Sequence, residues 1–201
     1  MSTQNQWTAM IQADPAHSQR YIDRFRSLAE SGADLVGEAR LIDAMLPRGS
    51  RILDAGCGQG RIGGYLAGVG HDVVGVDLDP VLVAAAQRDH PGARWLVGDL
   101  GTLDLPSLGI DEGFDAIVCA GNVVTFLATG ARRDVLRAMR AHLRDGGRAV
   151  IGFGAGRGYD FDEFLADAQA GGLVPDLLLS TWDLRPFTPE SDFLVAVLRP
   201  R

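Results

Sequence analysis

The chain has 201 residues, of which 46% are hydrophobic and 22% charged, a composition typical of a folded globular protein and not of a disordered or fibrous one. Its formal net charge of -7 disfavours a long polyanion such as DNA as the main partner. We therefore expect one domain over residues 1–201, with no binding of nucleic acid.

The first 48 residues are predicted to form a helical cap ahead of a core that spans 49–201. Two amphipathic stretches cover about 17–30 and 33–46. In the first stretch Tyr21, Phe25 and Leu28 recur at helical spacing and form one apolar face.

From residue 51 onward, short apolar runs alternate with helical patterns, which is typical of a mostly parallel sheet covered by helices on both faces. Asp79 followed by Pro80 is a strong helix start, because an acid caps the helix and proline fits its first position. The predicted strands are 51–55, 72–77, 94–97, 115–120 and 147–153. The predicted helices between them are 62–69, 80–90 and 131–144.

The last fifty residues predict a helix near 161–170 and two strands near 176–183 and 192–199. The connection between these strands contains Pro186 and Pro189 and is too short for a crossover helix, so the strands should be antiparallel neighbours. The predicted fold class is therefore α/β, with a seven-stranded, mostly parallel sheet that ends in an antiparallel hairpin.

A glycine-rich loop follows the first predicted strand, with glycines at positions 56, 58 and 60. Glycine lets the backbone turn sharply and approach a ligand, and the helix that follows offers unpaired N–H groups. Asp77 ends the second strand, 21 positions after Gly56, a spacing at which an acid accepts hydrogen bonds from ribose hydroxyls. The pattern predicts a nucleoside cofactor.

The residue before the loop helps to discriminate among such cofactors. Gly58 to Gly63 fits G-x-G-x-x-G, but that match alone is common to many nucleotide sites. Asp54 would repel a pyrophosphate, whereas it suits a ligand that carries an ammonium and a sulfonium group. The alternative role for Asp54 is to cap the following helix.

Residues 53–60, Leu-Asp-Ala-Gly-Cys-Gly-Gln-Gly, closely match D-x-G-x-G-x-G, and the chain from Arg51 to its end resembles the class I S-adenosylmethionine-dependent methyltransferases. The resemblance implies an enzyme that binds S-adenosylmethionine and releases S-adenosylhomocysteine. The loop residues that it implies as cofactor ligands are Asp54, Ala55, Gly56, Cys57, Gly58 and Gly60.

Further segments match the family in the same order. The resemblance implies that Asp77 and Leu78 contact the ribose, and that Asp99 and Leu100 contact the adenine. It also implies that the segment after the fourth strand lines the methionine portion and the transfer site, through Ala120, Gly121 and Asn122. Taken singly, Asp77 and Asp99 could instead be surface turn acids.

In-line methyl transfer depends mainly on orientation, so a general base matters only if the acceptor must lose a proton early. The catalytic residue is not identified by the sequence. His17 in the cap and Asn122 after the fourth strand are the candidates, whereas His71, His90 and His142 are expected to be surface residues.

The resemblance also bears on the acceptor. The segment Cys-Ala-Gly-Asn-Val-Val after the fourth strand lacks the Asn/Asp-Pro-Pro-aromatic element of methyltransferases that modify base or glutamine amino groups. This difference favours a small-molecule acceptor. No cluster with metal-ligand spacing is apparent, so we expect no metal, and the protein is expected to be a monomer or homodimer.

The flanking segments are expected to select the substrate. We predict that Tyr21 or Arg26 of the cap approaches the methionine moiety, and that Glu38 and Arg40 form a solvated pair. Near the last hairpin, the substrate-selecting residues are predicted to be Trp182, Arg185 and Phe187.

The amino terminus lacks the basic start and apolar core of a secretory signal, and no run of about 18 apolar residues suggests a membrane span. We expect a cytoplasmic protein without membrane contact, in which Cys57 and Cys119 are free buried thiols; a disulfide between them is the alternative.

Two other functions stay open on the sequence. One is an NAD(P)- or flavin-binding oxidoreductase that uses the G-x-G-x-x-G match, although the chain has no Tyr-x-x-x-Lys and no lysine at all. The other is a non-catalytic module that binds S-adenosylmethionine.

Overall fold

Seven strands form a single sheet in the computed structural model, which describes residues 4–201. In chain order they are β1 (Arg51–Ala55), β2 (Asp72–Asp77), β3 (Arg94–Val97), β4 (Phe114–Cys119), β5 (Leu143–Gly154), β6 (Leu173–Leu179) and β7 (Phe193–Pro200). Their order across the sheet is β3-β2-β1-β4-β5-β7-β6.

The last two strands pair in antiparallel fashion, as the sequence predicts, and Leu173 lies opposite Pro200. β6 spans Leu173–Leu179, a few residues earlier than the predicted strand near 176–183. β7 also pairs antiparallel with β5, whereas β1 to β5 are mutually parallel. β7 takes the interior position because its residues 194–198 are buried on both faces, while the middle of β6 is exposed at the edge. The predicted seven-stranded, mostly parallel α/β fold is confirmed.

Eight α-helices accompany the strands within the described residues. They are α1 (Gln6–Ala13), α2 (His17–Glu30), α3 (Gly37–Met45), α4 (Arg61–Gly68), α5 (Pro80–Asp89), α6 (Val123–Phe126), α7 (Arg132–His142) and α8 (Phe161–Ala170). Single 3-10 turns occupy Leu100–Thr102, Pro106–Leu108 and Thr129–Ala131. The sequence predicts all the α-helices except α1 and α6.

Alternating side chains of the strands bury into two separate cores. Leu53 and Ile117 belong to the core beneath α7 and α8, whereas their neighbours Ile52 and Val118 belong to the core beneath α3 and α4. Each fully buried side chain of this size contributes about 1.5–3 kcal/mol relative to exposure. Helices therefore cover both faces of the sheet, as predicted.

Of the 48 residues predicted as a helical cap, α1 and α2 dock on α5, and from here on the cap means these two helices. Ile22 of α2 packs against Leu82 and Ala85 of α5, and Trp7 and Tyr21 border this contact. The cap therefore lies near the carboxyl ends of β1 and β2. No helix in residues 4–201 combines the length and the apolar character needed to cross a bilayer.

Candidate active site

A cavity of about 720 Å³ opens where β1, β2, β3 and β4 end, and the cap forms one of its walls. Ligand sites for drug-sized molecules commonly measure about 300–1,000 Å³. His17 also lines this cavity. Most of the predicted cofactor ligands line it, namely Asp54, Gly56, Cys57, Gly58, Asp77, Leu78, Asp99, Leu100, Ala120, Gly121, Asn122 and Tyr21.

Three predicted ligands lie outside the cavity wall. Ala55 is fully buried in the sheet, and Gly60 packs so closely that a Cβ atom there would lie 2.9 Å from the Trp95 ring. Arg26 is exposed and lies 3.6 Å from Asp23 in an ion pair. The structure therefore gives no support to the expectation for Arg26, and it assigns Gly60 a packing role.

The conformation of the glycine loop requires glycine. Gly56, Gly58 and Gly60 have φ values of 80°, 54° and 84°, which L side chains rarely adopt. The Gly56 N–H donates to the Val76 carbonyl at 2.8 Å, and the Gly58 N–H donates to Asp77 Oδ2 at 2.8 Å. The loop is thereby fixed to the end of β2.

Asp54 is both a cavity residue and a helix partner. Its side chain is buried, and Oδ2 accepts a hydrogen bond from the Gly63 N–H in the first turn of α4 at 2.9 Å. Burial raises the pKa of Asp54 to about 7, against the opposing effects of the Gly63 bond and the Arg61 charge. The two roles weighed from the sequence are thus compatible in one side chain.

Asp77 is held by backbone on both sides. Its Oδ1 accepts from the Asp79 N–H at 2.9 Å, and its Oδ2 accepts from the Gly58 N–H. Burial raises the pKa of Asp77, while these two bonds lower it. Asp99 is exposed at the cavity edge, where Oδ1 accepts from the Gly101 N–H at 2.8 Å.

Aromatic side chains of the cap form one side of the cavity. Tyr21 lies against the glycine loop, because its hydroxyl is 3.7 Å from the position of a Cβ on Gly58. Burial raises the pKa of Tyr21. Trp7 contacts Tyr21 and His17 edge-on, with ring centroids at 5.4 and 4.9 Å. His17 is consequently a cavity residue next to an indole ring.

Asn122 joins the ends of β4 and β5. It has a left-handed backbone conformation with φ 67°, and its Oδ1 accepts from the Gly154 N–H at 2.9 Å. The carboxamide is therefore fixed through its oxygen, and Asn122 is part of the cavity lining. Arg157 lines the cavity beside Gly154.

The cavity also contains charges that the sequence analysis missed. Arg61 donates to both carboxylate oxygens of Glu38 at 2.9 and 2.8 Å, whereas Arg40 pairs with Asp34. The expected solvated pair of Glu38 with Arg40 is therefore wrong. Arg61 directly follows the glycine loop in sequence, and this position could have predicted that it lines the cavity. The arginines that line the cavity are Arg20, Arg24, Arg61 and Arg157.

The remaining histidines lie away from the cavity lining. His71 is buried, with Nε2 3.0 Å from Asp43 Oδ1, so the expectation of a surface position for His71 is wrong. His90 and His142 end α5 and α7, and partial burial lowers the pKa of each.

The three residues near the last hairpin that were predicted to select the substrate also lie away from the cavity. Trp182 packs on Gly152, and Phe187 packs on Phe161 with ring centroids 5.6 Å apart. Arg185 is exposed on the surface. None of the three lines the cavity among the described residues, so the structure does not support a substrate-selecting role for them.

Both cysteines are buried free thiols, as predicted from the sequence. Burial raises the pKa of Cys57 and of Cys119 well above the ordinary value. A thiolate nucleophile is disfavoured at both positions because the charged form is the one that burial penalises.

Comparison with known proteins gives consistent similarities. A family model described as a methyltransferase domain matches residues 52–147. The crystal structure of a TehB-like S-adenosylmethionine-dependent methyltransferase from Corynebacterium glutamicum is 54% identical, with a TM-score of 0.89 over 94% of this chain and 100% of that chain.

Other similarities are more limited. An uncharacterised methyltransferase from Mycobacterium bovis is 41% identical over 81 residues, which is 39% of this chain and 39% of the relative's own length. The glycopeptide N-methyltransferase MtfA, solved with S-adenosylmethionine, is 12% identical with a TM-score of 0.66 over 83% of this chain and 95% of that chain. This last likeness concerns the fold alone.

Proposed function

This chain belongs to the S-adenosylmethionine-dependent methyltransferases, and from that premise we propose that it transfers a methyl group to a small-molecule acceptor bound in the cavity. The observation that carries the proposal is the presence of a glycine loop and three aspartates in the lining of one cavity. These aspartates are Asp54, Asp77 and Asp99.

The carboxylate acceptors in the cavity fit S-adenosylmethionine. Asp54 offers a carboxylate to its ammonium group, Asp77 accepts from the ribose hydroxyls, and Asp99 accepts from the adenine amine. We propose that the backbone of the glycine loop contacts the methionine portion, because Gly56 and Gly58 line the cavity. The remaining contacts that we propose are from Cys57, Leu78, Leu100, Ala120, Gly121 and Asn122.

When bound, the cofactor supplies an electrophilic methyl group on a sulfonium whose leaving thioether needs no acid. The protein's part is orientation, which is worth up to about 7–11 kcal/mol in well-aligned reactions. We propose that Asn122, whose oxygen is fixed by Gly154, orients the acceptor through its amide N–H groups. His17 is the candidate base if the acceptor must lose a proton.

Two features support a small acceptor. The cap and its aromatic residues Trp7 and Tyr21 form a wall of the cavity, which limits the space for a macromolecule. The net charge of -7 also disfavours nucleic acid. We also propose a cytoplasmic location, which the free thiols of Cys57 and Cys119 support because thiols stay reduced there. The proposed assembly is a monomer or homodimer.

The proposal is tested by incubating the purified protein with methyl-labelled S-adenosylmethionine and three acceptor panels: small metabolites, total RNA, and proteins including acyl carrier protein. We expect label on a small metabolite. An Asn122→Ala variant should lower kcat for that acceptor at least tenfold, a larger effect than its weakening of cofactor binding. Label found on RNA or protein alone would contradict the small-molecule acceptor.

A further inference from the structure

Asp79 makes two sets of contacts with its two carboxylate oxygens. The residue is buried at the start of α5. Oδ1 caps α5 by accepting from the Val81 and Leu82 N–H groups at 2.9 and 3.4 Å. Oδ2 accepts from Trp7 Nε1 at 2.9 Å and also from the Ser18 hydroxyl. Oδ1 alone is enough to cap the N-terminus of α5. Oδ2 is therefore available to bind Trp7 of α1 and Ser18 of α2.

Trp7 extends this contact across the cavity. Its indole N–H is bound to Asp79 beside β2, while its ring contacts Phe126 beyond β4 edge-on, at 5.9 Å between centroids. Trp7 and Phe126 both line the cavity. The indole therefore bridges two walls of the cavity.

Asp79 is also bonded to the acid proposed to hold the ribose. Its backbone N–H donates to Asp77 Oδ1 at 2.9 Å, and the Gly58 N–H donates to Asp77 Oδ2. A continuous series of hydrogen bonds thus runs from the glycine loop through Asp77 and Asp79 to Trp7. Buried bonds of this kind to charged acceptors are stronger than those between neutral groups.

On the proposed function, we propose that Asp79 is a positioning residue that fixes the cap over the cofactor through Trp7 and Ser18, and so sets the residence time of the bound nucleoside. Asp79 touches neither reacting atom. It acts by holding the Trp7 ring between the two cavity walls and by orienting the Asp77 carboxylate.

Two substitutions separate this role from helix capping. Asp79→Asn keeps an oxygen that caps α5 as well as aspartate does, but replaces Oδ2 with an N–H donor that cannot accept from Trp7. Trp7→Phe removes the N–H donor together with part of the ring, and leaves Asp79 intact. Trp182→Phe is the matched control, because Trp182 packs on Gly152 outside the cavity.

The measurements are the dissociation rate of S-adenosylhomocysteine and hydrogen exchange of residues 6–13 with and without that ligand. Asp79→Asn and Trp7→Phe should each release the ligand about tenfold faster, as expected for loss of a bond to a charged acceptor. The double variant should release the ligand well under a hundredfold faster than the wild type, since both substitutions remove the Trp7–Asp79 bond and their effects cannot simply add. Exchange of 6–13 should increase even without ligand, and Trp182→Phe should match the wild type.

The outcomes separate this inference from the proposed function. If the wild type binds S-adenosylhomocysteine but both variants release it at the wild-type rate, the role of Asp79 is overturned while the function stands. A fall in Tm with faster exchange throughout α5, and unchanged exchange of 6–13, would show a purely structural Asp79. If the wild type binds no S-adenosylhomocysteine, the proposed function is overturned, and the retention role with it.

Discussion

At the scale of single residues, Asp77 is the residue that we propose recognises the ribose of the cofactor. An Asp77→Ala substitution leaves two ribose hydroxyls without an acceptor and also releases the Gly58 N–H. We expect the free energy of S-adenosylhomocysteine binding to weaken by about 1–3 kcal/mol. Calorimetric titration checks this value. Asp176→Ala on the edge strand is the control, and equal affinities for the two variants would contradict the assignment.

Because of Asp54, we expect the affinity for the cofactor to depend on pH. Because burial raises the pKa of Asp54 to about 7, the carboxyl gains its proton as the pH falls below neutrality and loses its attraction for the cofactor ammonium. Affinity for S-adenosylmethionine should therefore fall by up to about tenfold per pH unit as the pH is lowered from 7 towards 5.5.

The control for this pH dependence is Asp54→Asn, which retains an oxygen for the Gly63 N–H but cannot ionise. The variant should bind the cofactor weakly, with an affinity that varies much less over the same pH range. A wild-type slope that persists unchanged in Asp54→Asn would assign the titration to another group.

At the scale of elements, the cap shows what periodicity can and cannot predict. The spacing of Tyr21, Phe25 and Leu28 predicts α2 at its observed bounds, His17–Glu30. α1 was missed because its docking depends on a bond between Trp7 and Asp79, 72 residues apart in sequence. The pairing of Glu38 with Arg61 could not be predicted from local sequence patterns either, because only the packing of α3 on α4 brings the two residues together.

The cap also makes a testable distinction between two residues that the sequence treats alike. Tyr21 lies against the glycine loop, whereas Arg26 is exposed and paired with Asp23. Tyr21→Ala should weaken S-adenosylhomocysteine binding about fivefold or more through lost aromatic packing. Arg26→Ala should leave the Kd unchanged in the same titration. The reverse ranking would show that the cap rearranges when ligand binds.

The sheet next to the cavity depends on a close contact between β2 and β3. Gly75 lies opposite Trp95 in register, and a Cβ on Gly75 would lie 2.2 Å from the indole ring. Gly75→Ala should lower the free energy of unfolding by about 1–3 kcal/mol through overpacking. Gly68→Ala, where a Cβ meets nothing within 4 Å, is the control in chemical unfolding. Similar stabilities for both variants would show that Trp95 moves aside easily.

At the scale of the whole molecule, the alternation of apolar runs was enough to predict the five parallel strands within a few residues. The strand order at the other edge was not predictable, because both β6 and β7 are apolar in sequence and only their burial shows that β7 lies inside. The site residues divide in the same way, into those that local sequence predicts and those that only the fold shows. Residues at the ends of β1, β2 and β4 were found from motifs, whereas the cavity arginines from α2 and the 155–158 turn required the fold.

The central claim concerns which nucleoside the glycine loop selects, and it is tested most directly by one calorimetric experiment. The purified protein is titrated with S-adenosylhomocysteine and, in parallel, with NAD under the same conditions. We predict saturable binding of S-adenosylhomocysteine and no detectable heat of binding with NAD, because the buried Asp54 carboxylate attracts an ammonium and repels a pyrophosphate. Saturable binding of NAD with no binding of S-adenosylhomocysteine would contradict the account.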